Sequence, residues 1–190
     1  MKRIEICGGI GAGKTTLATI LEQEGFFGIY ERFQDNPFLN DFYTKENINN
    51  DFENEITFLL LHFNLIKVCD ADRNFVCDYS LLQDYCYAEC NLKSDARDAF
   101  MNLYRYIEKQ ITPPDLIIYL KCDVECLLDR IRQRGIVMEQ GISREYLQNI
   151  IDKIEKVIVN RQNVLIIESD KYNFINRDKQ YVLELIMKSL

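Results

Sequence analysis

The feature that most constrains this chain is a glycine-rich run near its amino terminus, GGIGAGKT over residues 8–15. It lies between a short β-rich run, 4–7, and a stretch with helical periodicity, 14–24. Glycines let backbone N–H groups turn inward around an anion, and a helix that begins near Lys14 directs its positive end to the same point. The spacing and the context are those of a P-loop, which predicts a strand–loop–helix unit that binds the phosphates of a nucleoside triphosphate.

The P-loop assigns roles to individual side chains. We expect Lys14 to reach the β- and γ-phosphates of ATP, and the Thr15 hydroxyl to ligate Mg²⁺. The residues expected to bind the phosphates are Gly8, Gly9, Ile10, Gly11, Ala12, Gly13, Lys14, Thr15 and Thr16.

Short apolar runs alternate with helical periodicity along the chain. The predicted strands are residues 4–7, 26–30, 75–77, 116–120 and 164–167, and the predicted helices are 14–24, 37–43, 52–69, 81–91, 96–110, 124–134, 144–161 and 179–187. Asp123 and Ser143 are predicted N-caps. Continuously apolar strands are typical of a parallel sheet covered on both faces. The pattern predicts a three-layer α/β P-loop NTPase fold with a five-stranded parallel sheet, formed by a single domain over residues 1–190.

Composition and charge restrict the partners. Hydrophobic residues make up 47% of the chain and charged residues 28%, which is ordinary for a globular protein. The net charge of −7 repels a phosphodiester backbone and argues against nucleic acid as a partner. No apolar run reaches the ~18–20 residues of a membrane-spanning helix, and the first strand begins too early to leave room for a cleaved leader. We therefore expect a cytoplasmic chain with a small-molecule acceptor and no membrane partner.

The seven cysteines favour free thiols over a disulfide framework. Cys86/Cys90 and Cys122/Cys126 have C-x-x-x-C spacing, so a zinc site is an alternative. The chain has one histidine, however, and neither pair has the C-x-x-C spacing of structural zinc sites. Buried apolar thiols are the favoured interpretation.

Two acidic residues follow predicted strands at the sheet edge where ligands bind. Asp78 follows strand 75–77, the position of a carboxylate near Mg²⁺, and Glu31 follows strand 26–30. One carboxylate near a metal and a second near the acceptor suit the phosphorylation of a hydroxyl group. The alternative for each acid is a helix cap or a solvated loop position. A guanine-reading N-K-x-D motif is absent, which argues against a GTPase.

Arg130 and Arg134 lie one turn apart on the predicted helix 124–134, so they share a face. Gly135 ends this helix, and a loop follows as far as Gly141. A mobile segment that presents guanidinium groups is expected to act as a lid over developing phosphate charge. The alternative is an ordinary solvated helix end, where the helix dipole also stabilises an arginine.

Together these residues resemble the deoxynucleoside kinase family, which includes deoxycytidine, deoxyguanosine and bacterial deoxyadenosine kinases. The resemblance covers nearly the whole chain. After the P-loop it rests on YERFQDNPFL over 30–39, DYS over 78–80 followed by Asp84, the lid segment within 125–147, and DKYNF over 170–174. The P-loop and the lid are its specific parts. It implies ATP-dependent phosphorylation of the 5′-hydroxyl of a (deoxy)nucleoside by a homodimer.

The resemblance also implies roles for single residues. Glu31 would be the general base, Asp78 would lie at the Mg²⁺, and Arg130 and Arg134 would stabilise the transferring phosphoryl group. The residues implied to contact the nucleoside are Tyr43, Glu139 and Asp84, and those implied to hold the adenine of ATP are Asp170, Lys171 and Phe174.

Three positions depart from the family pattern. Tyr79 stands where an arginine is expected, Arg32 stands where a proline follows the base, and Ile136 stands where the lid often carries another arginine. We expect Arg32 to act in catalysis by supplying the missing positive charge beside Glu31.

The helix that would read the nucleobase also departs from the pattern. Glu55 stands where a glutamine normally reads the base and His62 where an arginine supports it, although one residue of slippage would place Asn54 there instead. An ionised Glu55 only accepts hydrogen bonds, which favours a guanine-like edge with adjacent N–H donors. The small Ala88 adds space, so a purine is favoured. The alternative for Glu55 is a solvent-facing position, and His62 is expected to pack or to contact the base rather than to bind metal.

Two other functions remain open. A nucleoside monophosphate kinase of the thymidylate type shares the P-loop and the lid, but it needs extra arginines beside the two acids, where only Arg32 and Arg73 are candidates. A catalytically weak nucleotide-binding regulatory protein is suggested by Tyr79 and Ile136.

Overall fold

Within residues 1–44, 49–69 and 73–190, which the computed structural model describes, five parallel strands form one sheet. The strands are β1 (Arg3–Cys7), β2 (Phe27–Ile29), β3 (Phe75–Cys77), β4 (Leu116–Lys121) and β5 (Val164–Glu168). Their order across the sheet is β2-β3-β1-β4-β5, and every neighbouring pair is parallel. The predicted five-stranded parallel sheet is therefore confirmed.

The eight predicted helices are present in the predicted order. They are α1 (Lys14–Gln23), α2 (Leu39–Thr44), α3 (Asp51–Val68), α4 (Leu81–Asn91), α5 (Ser94–Glu108), α6 (Val124–Arg134), α7 (Arg144–Ile158) and α8 (Lys179–Ser189). Two 3-10 helices, Phe33–Asp35 and Val137–Gly141, were not predicted. In the described parts of the chain no helix has the length and apolar character needed to cross a membrane.

Strand β4 shows how the sheet forms the central layer. Leu116, Ile118 and Leu120 are buried in an apolar cluster with side chains of α1, α6 and α8. The alternate side chains, Ile117 and Tyr119, are buried in a second cluster with side chains of α4 and α7. Since successive side chains of a strand point to opposite faces, helices cover both faces of the sheet. Each fully buried side chain of this size contributes about 1.5–3 kcal/mol.

Several predicted helix boundaries differ from the structure by one to three residues, and local contacts explain two of these differences. The helix predicted from residue 37 begins at Leu39, because the chain first forms the 3-10 turn and Asn36 Oδ1 then accepts the Phe38 N–H at 3.1 Å. The helix predicted to continue to residue 161 ends at Ile158, the last buried residue of its apolar stripe, and the next residue, Val159, is 80% exposed.

Helix caps fix the entry of the chain into the helices that carry site residues. The side chains of Asp123 and Ser143 accept the backbone N–H groups of Glu125 at 2.9 Å and Tyr146 at 3.1 Å, so both predicted N-caps are confirmed. Ser80 is a third N-cap, which caps α4 in the same way. Such caps each stabilise a helix by roughly 1 kcal/mol.

All seven cysteines carry free thiols. Cys7, Cys77, Cys86 and Cys122 are buried, and burial raises the pKa of Cys7 to about 12. At neutral pH such thiols behave as small apolar side chains rather than as nucleophiles.

Candidate active site

A cavity of about 350 Å³ opens at the carboxyl edge of the sheet, where β1, β2 and β3 end. It brings together the P-loop, the acid that follows β2, the two lid arginines and one face of α3 and α4. Its lining includes Lys14, Thr15, Thr16, Glu31, Tyr43, Glu55, Asp84, Arg130, Arg134 and Glu139. Residues predicted from five separate segments thus meet in one place.

The P-loop is shaped by glycines in a backbone conformation that other residues rarely adopt. Gly11 has φ 82° and Gly13 has φ 98°. A Cβ on Gly13 would also lie only 3.2 Å from the Phe174 ring, so a side chain there would be both strained and crowded. The Lys14 ammonium folds over the loop and donates to the carbonyl oxygens of Gly8 at 3.0 Å and Gly9 at 3.2 Å. Burial lowers the pKa of Lys14, and the nearby Glu31 carboxylate opposes this shift.

Thr15 and Asp78 form a pair of oxygen ligands at the mouth of the P-loop. Thr15 Oγ1 donates to Asp78 Oδ2 at 2.6 Å, and the backbone N–H of Glu31 donates to Asp78 Oδ1 at 2.6 Å. Burial raises the pKa of Asp78, and the Thr15 hydrogen bond opposes the increase. A hydroxyl and a carboxylate that converge in this way are the hard oxygen donors that Mg²⁺ prefers, so these two residues could hold it.

Glu31 faces the imidazole of His62. The distance from His62 Nε2 to Glu31 Oε1 is 3.5 Å, and His62 Nδ1 lies 2.9 Å from Asp84 Oδ2 on the opposite side. Burial by itself would raise the pKa of Glu31, but the nearby His62 imidazole, with Lys14 and Arg134, outweighs burial and lowers it. Glu31 is thus held as a carboxylate beside the P-loop.

The two lid arginines approach the cavity from the carboxyl end of α6. Arg130 Nη2 donates to the Ser169 carbonyl oxygen at 2.7 Å, and Arg130 Nη1 donates to the Ala12 carbonyl oxygen at 3.3 Å. Arg134 forms an ion pair with Glu139 in the following 3-10 helix. Arg130 is therefore hydrogen-bonded to the P-loop backbone. Arg134 instead pairs with the Glu139 carboxylate, which a bound phosphate group can replace as its partner.

Glu55 lies inside the cavity and not at the protein surface. It is 3% exposed, and its Oε1 accepts Asn91 Nδ2 at 2.9 Å and Asn54 Nδ2 at 3.2 Å. The solvent-facing alternative is therefore wrong. Burial raises the pKa of Glu55 to about 8, which favours a protonated carboxyl group at neutral pH over the ionised acceptor that was expected. Asn54 lines the same cavity, so the two candidates for reading the base lie side by side.

A second cavity lies between the P-loop and the segment that follows β5. It is lined by Gly11, Gly13, Thr16, Arg130 and by Ser169, Asp170, Lys171 and Phe174. The Phe174 ring is 6% exposed and packs on Gly13, while the Lys171 ammonium pairs with Glu168 at 2.6 Å. The three residues predicted to hold an adenine thus lie beside the phosphate loop.

The comparisons with known proteins agree with this geometry. The family model for deoxynucleoside kinase matches residues 4–190. The chain belongs to the deoxynucleoside kinase family. This kinase is 33% identical to the deoxyguanosine kinase of Bacillus subtilis (strain 168) in an alignment of 205 positions, gaps included, that covers 97% of each chain. It is 30% identical to the deoxyadenosine/deoxycytidine kinase of the same organism over 91% of this chain and 85% of that one.

Solved structures support the fold of this kinase. The deoxyadenosine kinase of M. mycoides with bound dCTP has a TM-score of 0.82 at 22% identity, covering 98% of this chain and 97% of that chain. The same protein with bound dATP has a TM-score of 0.81 at 21% identity. These likenesses confirm the three-layer α/β P-loop fold.

The structure does not bring Arg32 into the kinase site. Its guanidinium is 70% exposed and lies 4.0 Å from Asp35, because the chain turns into the 3-10 helix directly after Glu31 and directs the next side chain outward. The side chain that faces Glu31 is instead His62. Ala88 is also misassigned as a source of space, since it is fully buried in an apolar cluster and does not line the cavity.

Several residues of the site were missed by the sequence analysis. Gln83 Oε1 accepts the Gly8 N–H at 3.1 Å and so fixes the start of the P-loop from α4. Tyr87 and Tyr146 line the main cavity, and Ser169 anchors Arg130. Tyr146 belongs to the segment that resembles the family, and Gln83 precedes Asp84, so both positions carried a weak signal. Tyr87 and Ser169 carried none.

Proposed function

We propose that this kinase transfers the γ-phosphoryl group of ATP to the 5′-hydroxyl of a purine deoxynucleoside, giving the 5′-monophosphate and ADP. The observation that carries the proposal is that Glu31, Lys14 and the two lid arginines line one cavity. A carboxylate that faces the phosphate loop across such a cavity can accept the proton of an incoming hydroxyl while the cations offset the charge of the transferring group.

Different residues of the chain accept the proton, stabilise the phosphate charge and would hold the metal ion. Glu31 is the general base. Its lowered pKa keeps the carboxylate ionised at neutral pH, so it is free of a proton when the hydroxyl arrives. The negative charge of the phosphoryl group during its transfer is stabilised by Lys14, Arg130 and Arg134. Thr15 and Asp78 would hold Mg²⁺, which when bound neutralises phosphate charge and orients the phosphates.

The opposite end of the cavity would bind the nucleoside. Tyr43 and Glu139 are proposed to hold the sugar, and Glu55 with Asn54 to contact the base, with His62 and Asp84 behind them. The protonated carboxyl of Glu55 offers one donor and one acceptor. This pair matches the N1 acceptor and N6–H donor of adenine, or the O6 acceptor and N1–H donor of guanine. Cytosine also has such a pair, N3 and N4–H, so the support for a purine comes from the names of the relatives, deoxyguanosine and deoxyadenosine kinases.

Transfer to a nucleoside monophosphate is less well supported. An acceptor phosphate needs additional cations beside Glu31, and the two candidates lie elsewhere. Arg32 pairs with Asp35 at the surface, and the Arg73 guanidinium stacks on Phe27, at the amino-terminal end of β2 and away from the cavity. A regulatory protein without catalysis was suggested by Tyr79 and Ile136. It is less well supported because Tyr79 stacks on the His62 imidazole, which faces Glu31.

A panel of acceptors tests the proposal. The protein would be incubated with Mg²⁺, ATP or GTP, and each of the four natural deoxynucleosides, inosine and dGMP or dTMP, with products separated by chromatography. We expect 5′-monophosphates from purine deoxynucleosides. Diphosphate products from monophosphates alone, or ATP binding without any product, would overturn it.

We further propose that the 190 residues act as one domain in a cytoplasmic homodimer. Free thiols at all seven cysteines support a reducing compartment. Large apolar side chains of the neighbouring helices α3 and α5 are exposed, namely Leu60, Val68 and Tyr106, which supports a further contact surface. Light scattering coupled to size exclusion would give the mass: a value near 45 kDa, about twice the 22.5 kDa of the chain, supports a dimer, and the chain mass itself contradicts it.

A further inference from the structure

The chain has one histidine, and it lies between two carboxylates. His62 on α3 is 2% exposed; its Nδ1 lies 2.9 Å from Asp84 Oδ2, and its Nε2 lies 3.5 Å from Glu31 Oε1. Asp84 on α4 is 6% exposed. A buried carboxylate needs a positive partner or hydrogen bonds to be tolerated, and an imidazolium supplies both from its two ring N–H groups.

Aromatic neighbours fix the plane of this imidazole. The Tyr79 ring stacks on it with the centroids 3.9 Å apart and an interplanar angle of 10°. Tyr79 is fully buried, and its hydroxyl donates to the His62 carbonyl oxygen at 3.3 Å. The Phe58 ring lies 5.7 Å away. Since the ring is held by Tyr79 and by Asp84, the direction of Nε2 toward Glu31 is set by the fold.

The second ring nitrogen of His62, Nε2, is not the one that contacts Asp84. Among the described residues no hydrogen-bond partner of ordinary geometry reaches it, although the atom is buried. The carboxylate oxygen Glu31 Oε1 lies 3.5 Å from this nitrogen. Hydrogen bonds in catalytic sites are often long before the substrate binds and shorten in the complex.

We propose that His62, as an imidazolium, is the positioning residue for Glu31, holding its carboxylate toward the acceptor hydroxyl while Asp84 fixes the imidazole from the other side. The inference rests on the proposed function, because it gives His62 a purpose only if Glu31 acts as the base. It assigns to His62 the positive charge that the sequence had suggested for Arg32, and it gives Tyr79 the role of a support for that charge.

The charged and titratable groups around the imidazole support this assignment. Asp84 and Glu31 flank it, Tyr79 stacks on it, and Glu5 of β1 acts from a greater distance. Burial alone would lower the pKa of His62, but the two flanking carboxylates outweigh burial and raise it to about 10.

Nuclear magnetic resonance on protein labelled at histidine reads this state directly, because one histidine gives one set of imidazole signals. At pH 7.5 we expect both ring nitrogens to carry protons, with titration near pH 10. Glu31→Gln and Asp84→Asn should each lower that pKa, whereas Arg32→Gln should leave it unchanged. A neutral imidazole at pH 7.5, or a pKa that Glu31→Gln does not move, would overturn the proposal.

Kinetics then separate positioning from packing. We expect His62→Asn to lower kcat by at least about tenfold with the KM for ATP unchanged. His62→Arg should recover most of the activity, because a planar guanidinium also stacks on an aromatic ring and donates in two directions. An equal loss in both variants, with ATP affinity retained, would assign His62 to packing alone.

The two proposals fail in different ways. If the wild-type protein phosphorylates no nucleoside, the proposed function fails while the resonance measurement still decides whether His62 is an imidazolium paired with Glu31. If the wild type is active and the imidazole is neutral, only the role of His62 is overturned.

Discussion

Asp78 Oδ1 accepts the backbone N–H of Glu31 at 2.6 Å. The residue proposed to hold Mg²⁺ is thereby joined directly to the residue proposed as the general base. The contact is possible because β2 and β3 pair with Ile29 opposite Cys77, so the chain leaves both strands at the same level of the sheet. One carboxylate therefore sets both the metal site, through Thr15, and the backbone position of the base.

This link predicts a double defect in Asp78→Asn. The amide keeps the size of the side chain but loses the charge that would bind Mg²⁺. We expect the Mg²⁺ concentration for half-maximal activity to rise by at least about tenfold, and kcat at saturating Mg²⁺ to stay below that of wild type. A magnesium titration of initial rates measures both quantities. Unchanged magnesium dependence would exclude Asp78 as a ligand.

Lys14 should contribute mainly to the transition state. Its ammonium lies over the P-loop within hydrogen-bonding distance of two carbonyl oxygens, so Lys14→Ala removes a cation that is already in position. We expect kcat to fall by about 10²–10³-fold. Titration of ATP binding alongside the kinetics is the check, and wild-type kcat with wild-type ATP affinity would contradict the P-loop assignment.

Arg32 and Arg134, two of the three arginines that the sequence predicted to be catalytic, differ in position, and they should differ in effect. Arg32→Ala removes an exposed side chain and should leave kcat/KM within about twofold of wild type. Arg134→Ala removes a cavity cation and should lower kcat by about 10²–10³-fold. The two variants make a matched pair in one assay. Similar losses in both would restore a catalytic role for Arg32.

Glu55 gives a prediction about stability and pH. Its pKa is about 8 in the folded chain and 4.5 ordinarily, so the unfolded chain releases this proton at lower pH. The stability of the wild type is therefore reduced progressively as the pH rises from about 4.5 to about 8. Glu55→Gln removes this penalty, so its Tm should exceed that of wild type by an amount that grows across this range.

Thermal unfolding at pH 5, 7 and 9 measures this difference. About 1 kcal/mol shifts the Tm of a chain of this size by about 2–4 °C, so the effect is measurable. Glu53→Gln, at an exposed position of the same helix, is the control for the loss of an acid. A Tm difference between Glu55→Gln and wild type that stays constant with pH would show that Glu55 titrates normally.

The parts of the site that could be predicted from the sequence are those fixed by local chain geometry. Lys14 and Thr15 follow a glycine loop between a strand and a helix, and Asp78 follows directly after a buried strand. Parallel strands bring their carboxyl ends to one edge, so these residues had to meet. The succession of strands and helices along the chain could likewise be predicted from the alternation of elements, whereas the order β2-β3-β1-β4-β5 across the sheet was not predicted.

The parts that could not be predicted depend on packing between distant segments. The raised pKa of Glu55 results from its burial, and no spacing in the sequence encodes burial. The stack of His62 on Tyr79 joins α3 to the turn after β3. The predicted position of Arg32 beside Glu31 was wrong because the regular alternation of side chains ends with the strand. The turn that follows directs the Arg32 guanidinium to solvent.

The central claim is that Glu31 accepts the proton of a nucleoside hydroxyl opposite the P-loop. It is tested most directly by the rate of 5′-monophosphate formation from a purine deoxynucleoside and ATP, compared between wild type and Glu31→Gln. The account predicts a loss of about 10²–10⁴-fold in kcat, with ATP binding retained. A Glu31→Gln variant that forms the monophosphate at the wild-type rate would contradict it.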